Sequence, residues 1–183
     1  MKEYSYPSSE KTTARAIADK LHEFLNGEIP IVVCIGTDAA IGDSLGPLCG
    51  TFIENKKKDL FVYGSLQKTV TAKEIRTIRS FISKVHPFSK VLVIDAAVGR
   101  SYDVGRIKIS SAPIKPGLGA DKDLPPIGDV SIIAIISEKT KSNYEFYSLT
   151  RLSPVYFIAK TISDAVVTYC DDVSNNNYLT CAR

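Results

Sequence analysis

Two short stretches of this sequence, residues 31–35 and 91–94, are apolar at every position. A strand of that composition buries both of its faces, which is typical of a parallel sheet covered by helices. A third stretch, residues 130–136, is apolar except at Ser131. Helical patterns separate these strands along the chain, and this alternation favours right-handed crossovers. The sequence therefore predicts an α/β fold, a three-layer sandwich with a mostly parallel sheet.

The helices are predicted from apolar residues that recur at intervals of three and four. They cover residues 12–26, 45–57, 71–86 and 152–170. Two weaker strands, residues 60–63 and 104–109, complete the sheet, and we expect the second of them to lie along an edge. We expect a single domain over residues 1–183, with residues 1–11 and 174–183 frayed.

The composition is that of an ordinary globular protein, with 44% apolar and 23% charged residues. A net charge of +3 gives no reason to expect nucleic acid as a partner. No apolar run is long enough to span a bilayer, and the polar first residues do not resemble a secretion signal. The four cysteines form no CxxC pair, which favours reduced thiols. We therefore expect a cytoplasmic protein without a membrane partner.

The segment GTDAAIGDSLGP, residues 36–47, lies between the first apolar strand and the next helix. It matches neither GxGxxG nor a P-loop, because Asp43 stands where a P-loop has its lysine. Its two carboxylates would repel a phosphate at the helix N-terminus. Structural roles stay open for the acids, with Asp43 or Ser44 as a helix cap and Asp38 as a turn residue.

Asp95 directly follows the apolar stretch 91–94, and we expect it to end this strand. If the strand order resembles the flavodoxin type, the first strand lies between the second and the third, and a crevice opens past their carboxyl ends. Asp38, Asp43 and Asp95 are then expected to meet at this crevice. The alternative for Asp95 is an acid that is hydrogen-bonded only to nearby backbone amides.

Two carboxylates that face each other support two kinds of chemistry. They can share one proton and activate water for attack on an amide, or they can hold a divalent metal, usually with a histidine. His22 lies in the first predicted helix and His86 at the wrong end of the third, so we expect neither a histidine-completed metal site nor a cofactor. A weaker metal site at Asp38, Asp43 and Asp95 stays open.

Residues 110–129 form a long segment rich in proline and glycine. A loop of this length inside a compact domain is usually functional or mobile. We expect Lys115, Gly117 and Gly119 to lie near a substrate, and with Asp38 and Ser44 they make up the predicted substrate-binding set. The alternative is a solvated crossover without a role in binding.

Five segments resemble, in the same order, the YyaC family of sporulation proteins, which is related to the germination protease of spore-forming bacteria. They are CIGTD (34–38), GDSLGP (42–47), YGSL (63–66), VIDA (93–96) and KPGLG (115–119). The resemblance covers residues 30–137. It implies a phosphorylase/hydrolase-like α/β fold, shared with the hydrogenase maturation endopeptidases, and a role in spore formation or germination.

The resemblance also implies catalytic roles for Asp43 and Asp95, which match two aspartates proposed as catalytic in the germination protease. The maturation endopeptidases add a histidine that binds a metal, and no counterpart is evident here. YyaC-like sequences follow the second strand with Pro-Val-His-Ala, where this chain has TVTA at residues 69–72. Thr71 therefore replaces a histidine of the pattern.

Two hypotheses follow. The first is a cytoplasmic peptidase of the mother cell or forespore, which cleaves a protein or peptide substrate such as small basic spore proteins. One of Asp43 and Asp95 would be the base and the other the acid. The second is a non-catalytic sporulation protein that binds a protein partner through the crevice or the long loop, and the missing histidines motivate it. The sequence predicts no oligomeric state.

Overall fold

The computed structural model describes residues 1–116, 124–139 and 150–181, and in the last helix it describes side chains as far as residue 176. The helices are α1 (Thr13–Leu25), α2 (Leu45–Lys56), α3 (Ile75–Val85) and α4 (Leu152–Cys181). The strands are β1 (Glu3–Pro7), β2 (Ile31–Cys34), β3 (Val62–Tyr63), β4 (Val91–Gly99), β5 (Arg106–Ser110) and β6 (Val130–Glu138). Two 3₁₀ turns, Ile41–Asp43 and Ser101–Asp103, precede α2 and β5.

The strands form one sheet in the order β1-β5-β6-β4-β2-β3. Strands β3, β2, β4 and β6 run parallel, whereas β5 and β1 are antiparallel to their neighbours. The predicted mostly parallel sheet is therefore confirmed. So is the position of β2 between β3 and β4, which places the start of the crevice between β2 and β4.

Helices cover both faces of this sheet. On one face α1, α2 and α4 pack against alternate strand residues, with Leu21, Cys49 and Ile162 among the fully buried side chains. On the other face α3 packs on the sheet together with Ile114 and Ile127, which pair with each other as an isolated bridge. These layers confirm the predicted sandwich. No helix in the described part of the chain is long and apolar enough to cross a membrane.

Three expectations about the ends and edges are wrong. Residues 1–11 were expected to fray, but β1 pairs with β5 from Glu3 to Pro7 and takes the edge position expected for β5. Tyr4 and Tyr6 pack against the core, which explains why this strand forms. Residues 174–181 continue α4, since Val173 remains in the core and the Ser174 hydroxyl donates to the Cys170 carbonyl at 2.8 Å.

Candidate active site

The turn that carries Asp43 lies directly against the end of β2, and glycines allow this approach. A Cβ on Gly36 would lie 2.1 Å from the main-chain oxygen of Asp43, and one on Gly46 would lie 2.0 Å from that of Ile35. Gly36 also has a φ of +146°, which L side chains rarely adopt. The glycines at positions 36 and 46 therefore determine how closely the turn and the start of α2 approach the sheet.

Asp43 is the last residue of the 3₁₀ turn before α2. Its carbonyl oxygen accepts a hydrogen bond from the Thr37 N–H at 3.0 Å, and its own N–H donates to the Ala40 carbonyl at 3.0 Å. These bonds fix the backbone on both sides of the acid. Burial raises the pKa of the Asp43 carboxyl to about 6, against a smaller opposing effect of the Thr37 amide. Asp43 therefore holds a proton much more tightly than an ordinary aspartate.

Asp95 is the fifth residue of β4, at the point where this strand loses one neighbour. The pairing of β4 with β2 ends at Ile94, whereas its pairing with β6 continues to Gly99. We expected Asp95 to end its strand, and that expectation is wrong because β6 extends the ladder by four residues. Side chains alternate along a strand, so Asp95 lies on the face of Val93, which belongs to the α3 side of the sheet.

The Asp43 carboxyl lies close enough to Asp95 for its charge to affect that group. Burial and the charge of Asp43 both raise the pKa of Asp95 well above its ordinary value, whereas a hydrogen bond from the Ala96 N–H, at 2.8 Å, lowers it. Two carboxyls that interact in this way do not both ionise near neutrality. Near neutral pH the pair is therefore expected to hold one carboxylate and one carboxylic acid.

The other predicted site residues differ in their surroundings. Asp38 is exposed in the loop between β2 and the 3₁₀ turn. Ser44 is 6% exposed, and its hydroxyl donates to the Ile41 carbonyl at 2.8 Å, so that group already has a local partner. Lys115 is exposed and follows the bridged Ile114. Gly117 and Gly119 lie outside the described residues.

Two structural alternatives can now be judged. The N-cap of α2 is Ser44, whose side chain makes no capping hydrogen bond, so capping does not explain the acid at position 43. The described residues contain no group of three His, Cys, Asp or Glu side chains with metal-binding geometry. Asp38 therefore does not complete a three-ligand set with Asp43 and Asp95.

Neither histidine contributes to the pair. The His22 ring lies 3.3 Å from the Asp172 carboxylate and against Tyr169, between α1 and α4. His86 ends α3 and lies 2.8 Å from the Tyr63 hydroxyl. Both rings are held by local partners. Their positions in the first and third predicted helices had already indicated that neither would reach the crevice.

The backbone around Val70 also borders the site, a position that was not predicted from the sequence. Val70 forms a parallel bridge with Ile35, and its carbonyl accepts from the Gly36 N–H at 3.0 Å. Thr71, the next residue along the chain, therefore lies beside the end of β2, at the border of the site. The Thr71 hydroxyl and N–H both donate to the Glu74 carboxylate, which holds this threonine in the turn before α3. The β-branched pattern of TVTA was the available signal for this short extended segment.

The fold and the acid pair define the chain as a doubly covered α/β protein with two coupled carboxyls beside the central parallel strands. Residues 3–165 match the model of the family described as "protein of unknown function (DUF1256)". The chain is 38% identical over 141 residues to YyaC of Bacillus subtilis (strain 168), described as an uncharacterized protein, and the match covers 76% of this chain and 69% of YyaC. The chain belongs to this DUF1256 family, and its predicted resemblance to YyaC is confirmed.

Among solved structures, the chain is similar to the NiFe hydrogenase maturation protease HycI from Thermococcus kodakarensis KOD1. The identity is 16% and the TM-score is 0.47, with 80% of this chain and 98% of HycI covered.

Proposed function

We propose that this protein is a sporulation-associated peptidase, active in the cytoplasm of the mother cell or forespore, that hydrolyses peptide bonds in small spore proteins. The observation that carries the proposal is the coupled pair of Asp43 and Asp95, whose pKa values are both raised. Acids with raised pKa values in a crevice are typical of catalytic acid–base pairs. The sequence resemblance to sporulation proteins related to the germination protease supplies the context.

The two acids have different surroundings, and these assign their roles. The pKa of Asp43 is about 6, so near neutral pH this carboxylate is the base. Asp95 is neighboured by that negative charge and keeps its proton, so it is the acid. Asp43 takes a proton from water as the water oxygen bonds to the scissile carbonyl carbon. Asp95 gives its proton to the leaving nitrogen as the C–N bond breaks, and one proton then returns from Asp43 to Asp95.

The assignment fixes the direction of the pH dependence. The rate is expected to rise as the pH passes upward through about 6, because Asp43 must be ionised to act as the base. It is expected to fall at higher pH, where Asp95 loses its proton. The profile of kcat/KM against pH is therefore expected to be bell-shaped. Because the two acids interact, the two apparent pKa values of this profile describe the pair and not the single residues.

The proposal is tested with purified protein and a small basic spore protein, with cleavage followed by mass spectrometry. Asp43→Asn and Asp95→Asn are expected to lower kcat by at least about a hundredfold, since each removes a proton-transfer group. Asp164→Asn is the matched control, because Asp164 lies on α4 and forms a surface ion pair with Lys56 at the end of α2. Cleavage that persists unchanged in both site variants would refute the mechanism.

A specific observation also favours the second candidate, a non-catalytic partner-binding protein. Both histidines are held away from the acid pair, and Thr71 borders the site in place of a histidine of the YyaC pattern. In that case wild-type protein would cleave no spore protein, and Asp43→Asn would retain the partner that wild-type protein captures from sporulating cells. Cleavage by wild-type protein that is lost in Asp43→Asn would exclude this candidate.

A further inference from the structure

Exposed apolar side chains gather around β3 and the end of α3, a surface that we call the α3 patch. Its members are Phe61, Tyr63, Phe81, Val85 and Phe88. Phe61 is 58%, Phe81 44%, Val85 52% and Phe88 95% exposed. Four large side chains this exposed within one region are unusual on a protein surface without a binding role.

Ring contacts hold the base of this patch in place. The Tyr63 and Phe81 rings lie 5.7 Å apart, and the Phe61 ring lies 4.7 Å from His86. The Tyr63 hydroxyl and His86 Nε2 are 2.8 Å apart, which connects the Tyr63–Phe81 pair with the Phe61–His86 pair. The aromatic rings are therefore arranged before any partner arrives, so binding would require little ordering of side chains.

The patch lies away from the acid pair. Phe61 directly precedes β3, Val85 ends α3, and Phe88 lies between α3 and the start of β4. These positions are at the amino ends of the parallel strands, whereas Asp43 follows the carboxyl end of β2. The patch is thus a surface separate from the proposed site of hydrolysis.

Helix α3, which carries part of the patch, is basic. Helix α3 contains Arg76, Arg79 and Lys84 and no acidic residue from Ile75 to Val85. Arg79 and Lys84 are exposed, and neither forms an ion pair with another described residue. A second copy of the chain docked through the same patch would bring like charges together. An acidic partner would instead neutralise them.

An open sheet edge adjoins the patch. β3 is the last strand in the sheet order and, within the described residues, pairs with β2 alone. The Phe61 carbonyl accepts from the Val32 N–H at 2.9 Å, which is the inner side of this pairing. On the outer side no described strand pairs with β3. Peptide groups there can hydrogen-bond to an added strand, which a lipid chain cannot do.

We propose that the α3 patch binds an extended segment of a partner protein that is rich in acidic and apolar residues and adds as a strand to β3. The apolar side chains of this segment cover Phe61, Phe81 and Val85. Its carboxylates lie against Lys84, which is next to Val85 in α3, and its backbone pairs with the outer side of β3.

The probe is a fluorescein-labelled nine-residue peptide in which Glu alternates with Val and Phe, and binding is measured by fluorescence anisotropy. Phe81→Ser and Lys84→Glu are each expected to weaken binding by about tenfold. Phe157→Ser is the matched control and is expected to leave it unchanged, because Phe157 is a 63% exposed aromatic residue on α4. A peptide N-methylated at alternate residues is expected to bind at least about tenfold more weakly, since it cannot pair along one edge.

Several results would overturn the proposal. These include no saturable binding below about 1 mM, or equal binding of a peptide with Lys in place of Glu. Equal binding of the N-methylated peptide would show that β3 is not extended. Sedimentation with phosphatidylglycerol vesicles that Phe81→Ser abolishes would make the patch a membrane-contact surface. A dimer in sedimentation analysis that Phe81→Ser dissociates would show that a second copy of the chain occupies the patch. None of these outcomes depends on peptidase activity.

Discussion

Gly46 is a single residue on which the position of Asp43 depends. It lies in the first turn of α2, where a Cβ would be 2.0 Å from the Ile35 carbonyl oxygen. Alanine is intrinsically the better helix former by about 1 kcal/mol, so propensity alone predicts that Gly46→Ala is stabilising. We expect the opposite, a loss of about 3 kcal/mol in urea unfolding, because the start of α2 must move away from β2.

Gly27→Ala is the control for this substitution. Gly27 has a φ of +77°, but a Cβ there would meet no atom within 4 Å. We expect a loss of only about 1 kcal/mol, which is the cost of the backbone conformation alone. If Gly46→Ala proved as stable as the wild type, the close contact between α2 and β2 would not exist.

The individual acids could be predicted better than their neighbours. Asp43 and Asp95 each come after an apolar run, at the end of β2 and where the pairing of β4 with β2 stops. Neighbouring parallel strands bring such positions to one edge, so the proximity of the two acids follows from the topology. The Ser44 hydroxyl could not be predicted in the same way. It donates to Ile41 inside a 3₁₀ turn, a local partner that hydrophobic periodicity does not indicate.

At the scale of the elements, the Arg106 side chain bonds β1 to the sheet in addition to the strand ladder. The Arg106 side chain donates to the Ser5 hydroxyl at 2.8 Å and to the Ser5 carbonyl at 2.9 Å. We expect Arg106→Ala to cost about 1–2 kcal/mol and to speed amide exchange of residues 3–7 in hydrogen-exchange mass spectrometry. Arg79→Ala, on the exposed surface of α3, is the control and is expected to change neither the stability nor the amide exchange of residues 3–7. If residues 3–7 exchanged equally fast in the two variants, this role of Arg106 would be contradicted.

The elements that were missed share a physical cause. Within the described residues, the helices and the parallel strands carry strong apolar patterns, because each buries a continuous face. β1 buries only Tyr4 and Tyr6 in a short segment that ends at Pro7, so its alternation is brief and polar residues dominate it. The extension of β4 past Asp95 depends on the partner strand β6, and single-strand composition does not specify pairing length.

At the scale of the whole molecule, the acid pair makes the free energy of unfolding depend on pH. In the unfolded chain Asp43 has an ordinary pKa, near 3.8, whereas burial raises it to about 6 in the folded protein. Between these values the folded state binds more protons than the unfolded state. Stability contributed by protonated Asp43 is therefore fully present below the unfolded pKa and is lost as the pH rises through the folded pKa. The raised pKa of Asp95 acts in the same direction.

We therefore expect the double variant Asp43→Asn/Asp95→Asn to gain stability relative to the wild type as the pH rises. From about pH 4 to about pH 7 the gain from the Asp43 position alone should reach about 1–2 kcal/mol, after allowance for its partial contact with water. Urea unfolding of both proteins across this range measures it. The contributions of the histidines and the surface ion pairs to the pH dependence cancel in the difference between the two curves, because both proteins contain these groups.

Asp38→Asn is the matched control for this measurement, since Asp38 is an exposed carboxyl in the same loop as Asp43. Its stability should follow the wild-type curve at every pH. A double variant whose curve also runs parallel to that of the wild type would mean that neither acid has a raised pKa in the folded protein. The division into a base at Asp43 and an acid at Asp95 would then lose its physical basis, because two ordinary aspartates would both be ionised near neutral pH.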